Sequence, residues 1–373
     1  MNFSMRSLLA AVALSAAGVA SGADLVPPAT KKLDTYFDSL AALQLANGSI
    51  AISENGIVKY QRSVGFAEFD GATPQPADVA TRYRIGAVTE LYTATMIMQL
   101  VEGGSITLDS KLAEFYPDLP NALEITYRDL LRHRSGLSDY MHLAVSDDWR
   151  IAGKTQGELL GVISADRARF APAERVERSA SNYLLLGYVL EKIYERAPEE
   201  ILQRQITGKL GLARTYFIGG GIASLESKSY RRAPSGWLAQ GQTNYTALGG
   251  AAGLVSTPAD LVTFIDSLFA GKLVTAHSLA SMRNQDGGSG MGLWPYPLAG
   301  QTGYGNSGDV DGYQACVYYF PDKKVAIAYA TNAAVLPMAE IVSESLALLF
   351  ERGRRPPKLE AAKAPGADPA AAN

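Results

Sequence analysis

The pattern that most restricts this chain is a pair of hairpin signals at its opposite ends. Near the start, residues 49–53 and 57–64 flank Asn55-Gly56, the dipeptide best able to supply the two positive φ angles of a type I′ turn. Near the end, residues 313–320 and 325–331 flank Pro321-Asp322-Lys323-Lys324. A helix-spaced set, Leu33, Tyr36, Phe37, Leu40 and Leu43, lies within residues 32–45 ahead of the first hairpin, and a helical stretch over residues 339–351 follows the second. Each end therefore offers antiparallel strands plus a helix, and one shared sheet buries both apolar faces most simply. The expected fold class is α/β (α+β): an antiparallel sheet from both termini, flanked by helices, with a mainly helical region inserted at roughly residues 105–250. No fixed-period repeat interrupts this plan.

Size and charge narrow the function classes. A chain of 373 residues, 47% of them hydrophobic, can bury an ample core. Its formal net charge of −3 mixes both signs with no basic stripe, which argues against nucleic acid or anionic membrane as the main partner. Arg6 precedes an apolar run, residues 8–19, that is too short to span a bilayer. Ser21-Gly22-Ala23 then offers a cleavage site, so residues 1–23 read as a secretion signal rather than as a buried helix. The single cysteine, Cys316, allows no internal disulfide and no lipid anchor at the signal. A periplasmic or secreted protein with no integral membrane segment after cleavage is expected. Its folded domain spans residues 30–352, and residues 353–373, rich in Pro, Ala, Gly and Lys, form a disordered tail.

Several blocks then become specific. Arg84-Ile85-Gly86 through Leu100-Val101-Glu102-Gly103-Gly104 is followed by Leu130-Leu131-Arg132-His133-Arg134-Ser135-Gly136-Leu137. Tyr183-Leu184-Leu185-Leu186-Gly187 and Gly253-Leu254-Val255-Ser256-Thr257 complete the series. In this order they resemble the serine β-lactamase and penicillin-binding-protein family, with its class C β-lactamase, D-alanyl-D-alanine carboxypeptidase and esterase relatives. That resemblance implies a Ser-x-x-Lys nucleophile motif, a Tyr-x-Asn motif and a third motif of Lys-Thr-Gly or His-x-Gly type. Serine and lysine need a spacing of three so that both side chains share one face at the start of a helix.

The matching positions carry other chemistry. Ala87-Val88-Thr89-Glu90 stands where Ser-x-x-Lys is implied, so the nucleophile is a methyl group and the amine a carboxylate. Counting back from Tyr183 puts Tyr-x-Asn on Arg178-Ser179-Ala180. Two registers compete for the third motif: Gln301-Thr302-Gly303, and Asn306-Ser307-Gly308, which has the better spacing to Gly312-Tyr313 and Pro321. No lysine in the chain follows a Ser or Thr by three residues, and no Gly-x-Ser-x-Gly elbow is present.

The remaining candidates have plain structural readings beside the functional ones. Thr89 could stand in as a nucleophile, but it lies about 200° around the helix from Ala87. His133 reads as a packed, hydrogen-bonded histidine rather than a base, because no Ser–His–Asp order surrounds it. His142 and His277 lack ligand-like neighbours, so neither a metal nor another cofactor is expected. Cys316 alternates with apolar residues as a buried thiol. Asp309 and Asp311 suit a turn next to the cleft and are also candidate ligand contacts.

These substitutions imply a catalytically inactive family member that binds a peptide, a cell-wall fragment or a protein partner. The alternative is an esterase or amidase working by rearranged residues, with Glu90, Asp309 or Asp311 activating water. Glu90 shares its helix with Leu91, Ala94, Ile97, Met98 and Val101, so its carboxylate is expected to be buried and to need a partner. Arg178 is the nearest candidate, and a direct Glu90–Arg178 contact is the expectation. Arg178 reaching solvent instead is the competing one.

Overall fold

The terminal elements form as their periodicity requires. In the computed structural model, described for residues 27–69, 73–143, 147–219, 226–233, 236–351 and 353–360, helix α1 spans Pro27–Ala42 and leads into β1 (Gly48–Glu54) and β2 (Ile57–Val64). Asn55 and Gly56 have φ of 52° and 77°, the two left-handed positions of a type I′ turn. The expected signal, residues 1–23, lies outside the described residues. At the other end, β3 (Trp294–Leu298), β4 (Gln301–Val310), β5 (Tyr313–Phe320) and β6 (Val325–Thr331) precede the terminal helix, Met338–Phe350.

These strands make one antiparallel sheet in the order β3-β4-β5-β6-β1-β2. The seam between the two chain ends is the β1–β6 pair, in register from Gly48 opposite Thr331 to Glu54 opposite Val325. Strands β3 and β4 are the part that sequence periodicity does not announce. Pro295 and Pro297 suit only an edge strand, which β3 is. Gly303, Gly305 and Gly308 deplete β4 of the side chains that mark a strand. The glycine at 305 is required, since a Cβ there would lie 1.8 Å from the Val317 carbonyl oxygen.

Each face of the sheet has its own core. On one side Leu33, Phe37 and Leu40 of α1 and Ile341 and Leu346 of the terminal helix pack on Ile52, Phe320 and Ile327. Cys316 lies in this layer, fully buried, and burial pushes its thiol up to about 12. On the other side lies the larger, helical core, which holds α2 (Thr89–Glu102), α3 (Ala180–Tyr194) and α4 (Pro258–Phe269). The helical insertion is interrupted by short strands at Tyr216–Phe217, Tyr230–Ala233 and Gly236–Ala239. Helix α4 begins as its sequence indicates, with Pro258 in the first turn and the Thr257 hydroxyl accepting from the Asp260 amide at 3.2 Å. Beyond the terminal helix, residues 353–360 form neither helix nor strand, yet Leu359 packs against the first core. Residues 361–373 lie outside the described residues. No described helix is long and apolar enough to cross a membrane.

Candidate functional site

The site forms where the start of α2 meets β4 and the start of α3. A short 3-10 turn, Gly86–Val88, leads directly into α2. Gly86 has φ of 52° and approaches β4 so closely that a Cβ would lie 2.8 Å from the Asp309 carbonyl oxygen. Gly308 makes the reciprocal approach, with Ala87 N only 2.2 Å from the position of a Cβ. Glycine on both sides lets the turn lie flat on the strand. The half-buried Ala87 methyl sits at this junction.

Glu90, one turn on, is 3% exposed. Its Oε2 accepts from Arg178 Nη2 at 2.7 Å and from Asn306 Nδ2 at 3.3 Å, and His133 Nε2 lies 3.6 Å away. The contact between residues 90 and 178 expected from the sequence is therefore present, through one guanidinium nitrogen. Burial pushes the Glu90 carboxyl up, but His133, Arg178 and Asn306 together outweigh it and hold the group below its ordinary value. The far side of Arg178 is open: its side chain is 44% exposed and its guanidinium lies 5.4 Å from the centroid of the Trp294 ring.

A buried chain of polar groups holds His133 in place. Ser135 Oγ donates to Asn182 Oδ1 at 2.5 Å, and Asn182 Nδ2 lies 3.2 Å from His133 Nδ1. The Ser179 amide also points at Nδ1, at 3.3 Å, so this nitrogen is the acceptor and the imidazole proton belongs on Nε2, facing Glu90. His133 is fixed by packing and hydrogen bonds, and the same bonds aim it into the site.

The other sequence candidates separate clearly. Asn306 is fully buried and also donates to the Ala87 carbonyl at 3.1 Å, whereas Gln301 lies at the far end of β4, its amide bonded to the Gly300 carbonyl. Ala180 opens α3 with no polar atom to offer. Thr89 is turned away, fully buried, its hydroxyl accepting from the Leu254 amide at 3.2 Å. Asp309 is exposed on β4. Asp311 is engaged within the chain. Its carboxylate accepts from Thr243 N at 2.8 Å, Thr243 Oγ1 at 2.6 Å and Arg84 Nη1 at 3.0 Å. With both partners of the Arg84 pair only 8% exposed, it is a brace between the β4–β5 turn and the strand before Gly86. The Asp311 backbone has φ of 50°, which a turn explains.

Sequence reading missed Trp294, Ser135 and Asn182. Ser135 lies inside one block quoted for its resemblance and Asn182 directly precedes another, but only the fold brings them to His133. Among the described residues no cluster of three or more His, Cys, Asp or Glu side chains is placed to hold a metal ion. The arrangement thus offers a buried, ion-paired carboxylate and a half-exposed guanidinium on an aromatic ring. It places no serine, cysteine or lysine at positions 87 and 90.

Comparison with known proteins agrees with this architecture. Teichoic acid D-alanine hydrolase from Staphylococcus aureus is 26% identical over 193 residues, a match covering 51% of this chain and 45% of that relative's own length. The crystal structure of D-amino acid amidase from Ochrobactrum anthropi SV3 superposes with a TM-score of 0.75 at 22% identity, over 88% of this chain and 98% of that one. The octameric penicillin-binding protein homologue from Pyrococcus abyssi gives a TM-score of 0.73 at 26% identity, over 87% of this chain and 78% of that one. The Beta-lactamase family model matches residues 33–349, and with the sheet, the α2 turn and the β4 junction in place, this chain belongs to the Beta-lactamase family.

Proposed function

We propose that this chain is a non-catalytic member of its family, acting outside the cytoplasm, which uses the surface around the half-exposed Arg178 and Trp294 to bind a peptide, a cell-wall fragment or a protein partner. The observation that carries this reading is the Glu90–Arg178 pair at 2.7 Å beside the Ala87 methyl. An acyl-transfer site needs a nucleophile activated by a neighbouring base. Here the nucleophile is absent, and the carboxylate nearest to it is neutralised by a guanidinium. Without a nucleophile, serine hydrolases retain only about 10³–10⁴ over water, from binding and oxyanion stabilisation.

The activities named for relatives favour a second reading, hydrolysis of an ester or amide by rearranged residues. Both the S. aureus relative and the O. anthropi structure are named as hydrolytic enzymes. With Glu90 and Asp311 engaged within the chain, Asp309 is the carboxylate this reading must use. One experiment separates the two. The purified protein is incubated with a fluorescent penicillin and a fluorophosphonate, then assayed for release of D-alanine from D-alanyl esters and of ammonia from D-amino acid amides. The binding reading expects neither a covalent adduct nor turnover above the buffer rate. Stoichiometric labelling of any Ser or Thr, or turnover abolished by Asp309→Asn, would overturn it.

A further inference from the structure

Away from Glu90 and Arg178, the inner faces of α2 and α3 enclose a second hollow. Its volume is about 210 Å³, and neither Glu90 nor Arg178 lines it. Glycines make part of its wall. A Cβ on Gly187 would lie 3.2 Å from Gly250, and one on Gly250 would lie 2.7 Å from the Tyr183 carbonyl oxygen, so α3 and the short helix Gly249–Ala252 meet backbone to backbone. Met96, Leu190, Ile201 and Phe217, all nearly fully buried, supply apolar walls, and Tyr188 and Tyr245 add rings.

Two carboxylates, Glu191 of α3 and Glu199 of the helix Pro198–Leu202, border this apolar space. Both are only partly exposed, and neither makes a hydrogen bond or ion pair with a described residue. Lys154 also lines the hollow, but its ammonium sits over the Trp149 ring, 4.8 Å from the centroid. Burial and the nearby charge of Glu199 raise the Glu191 carboxyl above its ordinary value, and Lys192 offsets this only in part. A half-buried carboxylate repelled by a second one is a standing electrostatic cost, and a cation placed between them would relieve it.

We infer that this hollow is a binding site for a small organic cation with an apolar body, an arylalkyl amine in chemical class, whose ring lies against Phe217 and Tyr188 and whose ammonium is held by Glu191 and Glu199. The size agrees, since a cavity of about 150 Å³ accommodates benzene. Aromatic rings beside the carboxylates add cation–π attraction. The inference does not depend on whether the Glu90 site is catalytic.

The test is calorimetric titration of the full chain at neutral pH with 2-phenylethylamine, 2-phenylethanol and 3-phenylpropionate. The amine should bind once per chain with Kd of about 1 mM or tighter. The alcohol should bind at least about tenfold more weakly, and the carboxylate not measurably. Glu191→Gln should weaken amine binding by about tenfold while melting no lower than the parent, because it removes a repelled charge. Glu199→Gln, on a different helix, carries the same expectation and guards against a fold defect in the first variant. Equal affinity for amine and alcohol, unchanged amine affinity in both variants, or no saturable binding up to about 10 mM would each overturn the inference.

Discussion

Replacing Arg178 by alanine removes the guanidinium bonded to Glu90 and leaves a carboxylate that is 3% exposed. At an effective dielectric of about 20, unit charges about 4 Å apart attract by about 4 kcal/mol. Losing one partner of a fully buried pair costs about 3–5 kcal/mol. Two features of this site reduce that figure. The Arg178 side chain is 44% exposed, so water screens its end of the pair. Asn306 at 3.3 Å and His133 at 3.6 Å remain to support the carboxylate. The expected loss for Arg178→Ala is therefore about 1–2 kcal/mol at pH 7. With about 2.1 cal/mol/K of unfolding entropy per residue, that corresponds to roughly 1–3 °C in Tm. The pH dependence follows from the direction of the Glu90 shift. Because its folded pKa lies below the ordinary 4.5, its stabilising contribution is present above that value and is lost as pH falls through the folded pKa. Arg178 is one cause of that lowering, so the variant's deficit should be full at pH 7 and shrink towards pH 3. Differential scanning calorimetry of parent and variant across this range measures it. A variant as stable as the parent at pH 7, or a deficit that does not change with pH, would refute the reasoning.

Three further outcomes are expected. Ala87→Ser alone should show no acylation burst with activated esters, because the nearest carboxylate is bonded to Arg178 and a lone hydroxyl stays protonated; stopped-flow kinetics would reveal a burst if another group already served as base. Asp266 on α4 is buried and bonded to Ser53 Oγ at 2.5 Å, and its pKa is raised to about 6, chiefly by burial. A raised carboxyl destabilises the fold progressively as pH climbs from 3.8 to about 6, so Asp266→Asn should be more stable than the parent by about 1–3 kcal/mol at pH 8 and show no gain at pH 4, as urea titrations would read. Asp311→Ala removes the counter-charge of Arg84 at 8% exposure, although its bonds to the Thr243 carbonyl and Gln242 Oε1 remain, and thermal melts should register a loss of about 2–4 kcal/mol, far more than for Asp309→Ala on the exposed side of β4.

Much of this protein is legible along the chain, for local reasons. Asn55-Gly56 specifies its own turn, the spacing of Leu33, Phe37 and Leu40 specifies a buried helix face, and Thr257-Pro258 specifies a helix start, because each depends on residues within a few positions. The identities at 87, 90 and 178 are equally plain. Even the ion pair across 88 residues could be anticipated, since burying a charge demands a partner and the blocks brought one candidate near. Strand β4 was not legible, because its glycines serve close approach to Ala87 and Val317 rather than strand propensity. Nor was the role of Asp311, whose partner Arg84 is 227 residues away and no more prominent in sequence than many other arginines. The Ser135-Asn182-His133 chain, the Trp294 ring under Arg178 and the hollow behind α2 are likewise products of how helices and sheet close on one another. Local sequence decides which elements form and which charges need partners; only tertiary packing decides which distant side chain supplies each partner, because that choice depends on distances no periodicity encodes.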